Sequence, residues 1–176
     1  MTAAATPEFS RPVRVDQIAR LAEAVTITAD AAERGALARR FDLISLDRLE
    51  ADYSLTQESG AIVARGRVRA DLAQACVATG LPVPERIDTD FILRFVAESG
   101  GSEGDELEID SSDCDIVGFD GQVIDMGEAV AETVALTMDP YPRSPQADAY
   151  LREAGVLSEE QASPFAALLA LKDKED

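Results

Sequence analysis

The feature that most constrains this chain is a pair of alternating segments joined by a short turn. From Ile62 to Leu72 small or apolar residues occupy the even positions, and three arginines and an aspartate lie at the odd positions from 65 to 71. From Ile87 to Phe95 the phase is reversed, and most odd positions are apolar. A period of two is typical of a β-strand with one hydrated and one dry face. The two segments therefore predict an antiparallel hairpin whose turn lies at residues 76–82.

The charges of the hydrated face select a register for this hairpin. One register brings opposite charges face to face three times, pairing Asp71 with Arg86, Arg69 with Asp88 and Arg67 with Asp90. Such cross-strand pairs favour the register that forms them. On the dry face the same register places Phe91 over Gly66, so that an aromatic ring covers a glycine. We therefore expect much of the arginine charge of this face to be neutralised within the sheet.

The hairpin extends into a three-stranded antiparallel meander. Strand character runs through residues 44–56, 61–72 and 85–96, and the imperfect phase of the first segment favours a β-bulge. Shorter segments with strand character lie at 9–15, 25–28 and 122–124.

Helical patterns surround these strands. Asp30 and Glu33 have capping-box spacing before a helix over 31–41, and Asp125 and Glu128 repeat that spacing before a helix over 129–138. In the second helix Val130 and Val134 point inward, with either Leu136 or Met138. Further short helices are expected over 16–24 and 147–154. The predicted fold class is α+β: an antiparallel meander, with a curl toward a half-barrel left open, and several short helices packed on it.

Size and composition indicate one folded domain with tails. A chain of 176 residues, 46% of them apolar, can bury a substantial core. We predict a flexible tail at 1–8, a single α+β domain at 9–142 and an acidic C-terminal segment at 143–176 that ends in an amphipathic helix. The sequence contains neither a signal-peptide pattern nor an apolar run of membrane-spanning length, so we expect a cytoplasmic protein.

Negative charge is concentrated in the second half of the chain. The net charge is −18; residues 1–96 have 12 basic and 14 acidic residues, whereas residues 97–176 have 4 basic and 20 acidic residues. Such a surface repels nucleic acid and anionic lipid and attracts basic proteins. The plainer alternative is that the acids only confer solubility. The candidate partner-binding acids are Glu103, Asp105, Glu106, Glu108, Asp110, Asp113 and Asp115.

The terminal helix offers a second candidate surface. Its apolar side chains at Phe165, Leu168 and Leu169 require a surface to cover them. They either pack back on the sheet or dock into a groove of a partner, and both alternatives remain open.

The sequence lacks the residues from which most active sites are built. There is no histidine, and no phosphate-binding glycine loop is present. Cys76 has no recognisable base beside it, and the aspartates at 110, 113 and 115 do not have the spacing of a calcium loop. We therefore expect no catalytic residue, no metal site, no cofactor and no enzymatic activity.

Three motifs, in this order, resemble the bacterial YceD family. They are the segment CVATGLPV at 76–83, the segment DMGEAV at 125–130 leading to PYP at 140–142, and FAAL at 165–168. The resemblance covers about residues 9–172 and looks like the alphaproteobacterial branch. It assigns structural family-motif roles to Cys76, Thr79, Pro82, Asp125, Gly127, Glu128 and Pro140. Many relatives have Cys-x-x-Cys in the first motif, whereas Thr79 stands in the second position here, so a metal role is not carried over.

The resemblance implies a non-enzymatic factor in large ribosomal subunit biogenesis, required for accumulation of the large-subunit RNA. Together with the acidic second half, it predicts binding of a basic ribosomal protein or a pre-large-subunit particle. The alternative is direct RNA binding through arginines of the N-terminal half, which the net charge disfavours. A small-molecule or peptide pocket within a curled sheet is a third possibility, without a specific residue to support it. The RNA-contact candidates are Arg34, Arg39, Arg40 and Arg65.

Overall fold

A computed structural model describes residues 7–21, 24–58, 60–97 and 115–156. The chain divides into two compact units, of which the first comprises residues 1–74 and 84–140 and the second residues 75–83 and 141–176. The predicted terminal helix and most of the predicted acidic patch lie outside the described residues. The domain boundaries predicted at residues 8 and 142 stay predictions.

The first unit is built on a mixed five-stranded sheet with the order β2-β3-β4-β5-β6. The strands are β2 (Val25–Thr28), β3 (Ser45–Glu58), β4 (Ala61–Ala75), β5 (Pro82–Ala97) and β6 (Asp115–Phe119). Strand β3 pairs antiparallel with both β2 and β4, and β6 runs parallel to β5. The α+β class and the meander β3-β4-β5 are confirmed, and the predicted bulge lies between Leu46 and Arg48. The described strands form an open sheet rather than a closed barrel.

The remaining elements are short. β1 (Pro12–Arg14) and β7 (Val123–Asp125) form a separate two-stranded antiparallel sheet. A 3₁₀ helix (Val15–Arg20) follows β1, and the α-helices are α1 (Ala31–Arg40), α2 (Met126–Thr137) and, in the second unit, α3 (Ala147–Glu153). The capping box predicted for α1 is present, with Asp30 and Glu33 each bonding the other's backbone.

The core of the first unit is one cluster of buried side chains from the sheet, helices α1 and α2 and the N-terminal segment. Leu49 of β3 and Val68 of β4 are at most 1% exposed, as are Val130 and Val134 of α2. Burying each such side chain contributes about 1.5–3 kcal/mol. Met138 packs against this core and Leu136 is 81% exposed, which settles the choice between the two for the inward position.

The hydrated face of the sheet is a network of ion pairs. All three predicted pairs are present: Arg67 with Asp90 at 3.4 Å, Arg69 with Asp88 at 3.7 Å, and Arg86 with Asp71 at 3.7 Å. Each exposed pair adds little stability, about 0–1 kcal/mol. Together with the pair between Arg65 and Glu58, they place a carboxylate within 4 Å of each arginine that alternates along β4.

On the dry face, the Phe91 ring covers Gly66, as predicted. A side chain built at Gly66 would place its Cβ 2.7 Å from the Phe91 ring and 2.8 Å from Cβ of Tyr53. Only glycine leaves room for that ring, because a real Cβ needs more than 3 Å.

Candidate functional site

The DMGEAV motif at the start of α2 attaches that helix to the N-terminal segment that precedes β1. Asp125 caps α2 by accepting hydrogen bonds from the backbone N–H groups of Gly127 at 3.0 Å and Glu128 at 3.2 Å. The same carboxylate accepts the Ser10 hydroxyl at 2.5 Å and the Arg11 N–H at 2.7 Å. A carboxylate that accepts several such bonds is a strong stabilising element. Asp125 therefore joins two segments that are distant in the sequence.

Gly127 permits the close approach of these segments. A Cβ at this position would overlap the carbonyl oxygen of Phe9 and lie 2.9 Å from the amide nitrogen of Arg11. Phe9 itself is fully buried. The glycine of the motif is thus required by backbone packing.

Glu128 forms an ion pair with helix α1. Its carboxylate accepts two hydrogen bonds from the Arg40 guanidinium, at 2.7 and 2.9 Å, and Arg40 also donates to Glu8 at 3.0 Å. Bidentate pairs of this geometry fix relative position as well as adding energy. The motif residues of α2 therefore hold together α1, α2 and the N-terminal segment.

Pro140 lies in a segment that is attached to the sheet. Glu85 of β5 accepts the backbone N–H of Asp139 at 3.2 Å, and the Gln74 side chain donates to the Asp139 carbonyl at 3.0 Å. The other motif proline, Pro82, is the first residue of β5. Both prolines thus mark ends of secondary-structure elements.

In the second unit, Cys76 and Thr79 bond to the segment after Pro142. The Cys76 Sγ atom accepts the backbone N–H of Ser144 at 3.2 Å, and Thr79 Oγ1 lies 3.2 Å from Ser144 Oγ. Cys76 is 3% exposed. Burial raises the pKa of its thiol, but hydrogen bonds from Ser144, Thr79 and the Ala78 N–H outweigh burial and lower that pKa to about 6. The structural role expected for Cys76 and Thr79 stays a prediction.

The four arginines proposed for RNA contact differ in their availability. Arg65 is paired with Glu58 at 2.6 Å and Arg40 with Glu128 at 2.7 Å. Arg34 donates to the Ala29 carbonyl at 2.7 Å. Arg39 is exposed, and with Arg34 it lines a cleft of about 420 Å³ beside α1. Three of the four, Arg34, Arg40 and Arg65, therefore already make hydrogen bonds within the protein.

Of the predicted partner-binding acids, the structure describes Asp115. It is exposed and is the first residue of β6. The acids at 103–113 and the docking residues Phe165, Leu168 and Leu169 lie outside the described part of the chain, so their proposed roles stay predictions.

A groove runs between β6 and the outer face of α2. It consists of two adjoining cavities of about 400 and 290 Å³ that share Val117, Ala129 and Glu132. One wall is β6, and the other is the α2 face formed by residues 129, 132, 133 and 136, which helical spacing places together. Leu136 and Ile116, on opposite walls, are 81% and 46% exposed. The groove therefore presents apolar side chains to solvent.

The groove is rimmed by acidic side chains. Two of them, Asp125 and Glu128, are already bonded as described above. Hydrogen bonds from the backbone N–H groups of Val123 and Gln122 lower the pKa of Asp120. No lysine or arginine is among the described residues that line either cavity. The acidic lining residues are Asp115, Asp120, Asp125, Glu128 and Glu132.

Sequence reasoning missed this groove because β6 is short and pairs in parallel with a strand that lies earlier in the chain. One feature of the sequence could have indicated the groove. Leu136 has helical spacing from Ala129 and Thr133, which places an apolar residue beside a polar face of the helix.

Within the described residues no helix is long and apolar enough to cross a membrane. The same part of the chain contains no group of three or more Cys, Asp or Glu side chains placed to hold a metal ion.

The described residues thus define an α+β fold in which motif residues at the start of α2 join separate elements, and in which the groove between β6 and α2 combines apolar and acidic side chains. The family model for the large ribosomal RNA subunit accumulation protein YceD matches residues 64–172, and the chain belongs to the YceD family. This confirms the family predicted from the three motifs; the alphaproteobacterial type stays a prediction. No curated protein and no solved structure gave a significant match.

Membership implies involvement in the accumulation of large-subunit ribosomal RNA, with ribosome-related partners. YceD is not a known enzyme family.

Proposed function

We propose that the protein supports large ribosomal subunit biogenesis in the cytoplasm by binding a basic ribosomal protein, free or within a pre-large-subunit particle, without catalysing a reaction. The observation that carries the proposal is the charge distribution, with 20 acidic and 4 basic residues in positions 97–176 of a chain that belongs to this family. Basic proteins are attracted to such a surface over distances of about 10 Å at moderate salt.

The ion pairs of the N-terminal half support protein binding over direct RNA binding. Binding a phosphate backbone requires cationic side chains that can replace its counterions. Arg65, Arg67 and Arg69 are each already within 4 Å of a carboxylate. Using them on RNA would require these pairs to break while the acids beside them repel the phosphates.

The proposal predicts recovery of a basic large-subunit protein with the purified chain. The full-length protein would be immobilised and exposed to lysate with and without ribonuclease, at low and moderate salt. We expect a basic large-subunit protein, identified by mass spectrometry, to be retained after ribonuclease treatment and to weaken as salt increases. Retention only in the presence of intact RNA would contradict the proposal.

A matched titration addresses RNA binding directly. Fragments of large-subunit RNA would be titrated against the wild type and against Arg39→Gln, because Arg39 is exposed. We expect weak binding that this substitution leaves unchanged. A reduced affinity with a lower salt slope in Arg39→Gln would favour the RNA-binding alternative.

A further inference from the structure

We propose that the groove between β6 and α2 is the docking site for a basic segment of the protein partner, with one or two aliphatic side chains that insert between Leu136 and Ile116. This inference rests on the proposed function and assigns it to one surface of the first unit.

The apolar part of the groove indicates a protein ligand. Leu136 is 81% exposed although it lies in a helix whose other large aliphatic residues are buried. It faces Ile116 across a cavity that also includes the buried side chain of Leu93. Exposed apolar residues that line a concave surface with a polar rim are typical of interaction sites.

The charge of the groove selects a cationic ligand. Asp115, Asp120 and Glu132 are exposed. Glu132 lines both cavities, so a lysine or arginine of the ligand can reach it from either. A phosphate backbone would meet the same carboxylates with like charge, which disfavours RNA in this groove.

The dimensions favour a short segment over a broad interface. β6 has five residues and is about 16 Å long at about 3.3 Å per residue. Three turns of helix, or five extended residues, have the same length. Apolar anchors at helical spacing with flanking basic residues would therefore match both walls of the groove.

Two substitutions test the site, with RNA-free proteins extracted from large ribosomal subunits as the probe. Glu132→Lys reverses the shared acid, and Leu136→Ser removes the exposed anchor; both positions face solvent, so the fold should persist. The controls are Glu153→Lys, the same charge change at an exposed position of α3, and Ile44→Ser at a side chain that is 50% exposed. Circular dichroism and denaturant unfolding would verify folding of all four.

We expect each groove variant to bind the retained basic protein about tenfold or more weakly, and each control to bind within about twofold of the wild type. A photo-crosslinking benzophenone side chain at position 136 should capture that protein, and one at position 44 should not.

The outcomes separate this inference from the function it rests on. If both groove variants bind as the wild type does and position 136 captures no protein, the groove is not the docking site, and the proposed function stays intact. Failure of the wild type to retain any basic large-subunit protein would overturn both. If Glu153→Lys loses as much affinity as Glu132→Lys, binding depends on the net charge of the protein alone. That result would also overturn the assignment of the docking site to the groove. The same crosslinking in lysate, where RNA is present, tests the other class of ligand. Capture of RNA from position 136 there would overturn the inference.

Discussion

Gly127 is a residue at which two backbone segments pack closely. Its missing side chain leaves space for the carbonyl group of Phe9, so Gly127→Ala must either displace the N-terminal segment or shift the first turn of α2. Overpacking of this kind costs about 1–3 kcal/mol, and more where backbone has to move. We expect the free energy of unfolding, measured by urea denaturation, to fall by at least about 2 kcal/mol.

Gly35 provides the matched control for this prediction. It also lies in a helix, α1, but a Cβ there would meet no atom within 4 Å. Alanine is a better helix former than glycine, so Gly35→Ala should raise the free energy of unfolding by about 0.5–1 kcal/mol. A similar loss of stability in both variants would contradict the packing role assigned to Gly127.

At the scale of elements, the attachment of the N-terminal segment to α2 depends on Asp125. Asp125→Ala removes the helix cap and the two bonds to Ser10 and Arg11. A lost cap costs about 0.5–2 kcal/mol, and unsatisfied partners add to it. We expect the free energy of unfolding, measured with denaturant, to fall by about 2–3 kcal/mol. Backbone amide hydrogens of β1 and β7 should exchange faster.

Asp16 offers a comparison of the same residue type. It pairs with Arg14 at 3.0 Å, but both side chains are more than 60% exposed. Asp16→Ala should change the free energy of unfolding by less than about 0.5 kcal/mol. If Asp125→Ala were equally mild, Asp125 would not hold the two segments together.

The predictability of the elements follows from how local their signals are. The hairpin, the capping box of α1 and the cap of α2 are encoded within a few residues, and the sequence predicts each of them. β6 was not predicted, because parallel pairing with β5 depends on a contact between distant segments. The groove was missed for the same reason, since its two walls are brought together by tertiary structure alone. The helix predicted over residues 16–24 is a 3₁₀ helix that ends at Arg20.

At the scale of the whole molecule, the arginine network gives stability a characteristic dependence on pH. Glu58 illustrates the sign: hydrogen bonds from Arg65 and Thr56 lower its pKa from 4.5 to about 2. A carboxyl group whose pKa is lower in the folded state stabilises the protein above its ordinary pKa. That contribution is lost as the pH falls toward the folded value.

Comparison of the wild type with Arg65→Gln isolates this effect. At acid pH the repulsion among the many carboxylates decreases in both proteins, so it cancels in the comparison. The difference in free energy of unfolding between the wild type and Arg65→Gln should be constant above about pH 5. It should shrink between pH 4.5 and about 2, because over that interval Glu58 stays ionised in the folded wild type but is protonated in the unfolded chain. Urea denaturation across this pH range measures it. A difference that grows as the pH falls would contradict the pairing.

The close contact between the N-terminal segment and α2 bears on where this domain can be truncated. The match to the family model begins at residue 64, inside β4. A fragment trimmed to that limit would lack β1, β2, β3 and α1, and with them the fully buried Phe9 and Leu37. Asp125 would still cap α2 but would lose its two partners in the N-terminal segment, Ser10 and Arg11. The region that a sequence profile detects is therefore smaller than the unit that folds, and the excised profile region should aggregate where the longer chain does not.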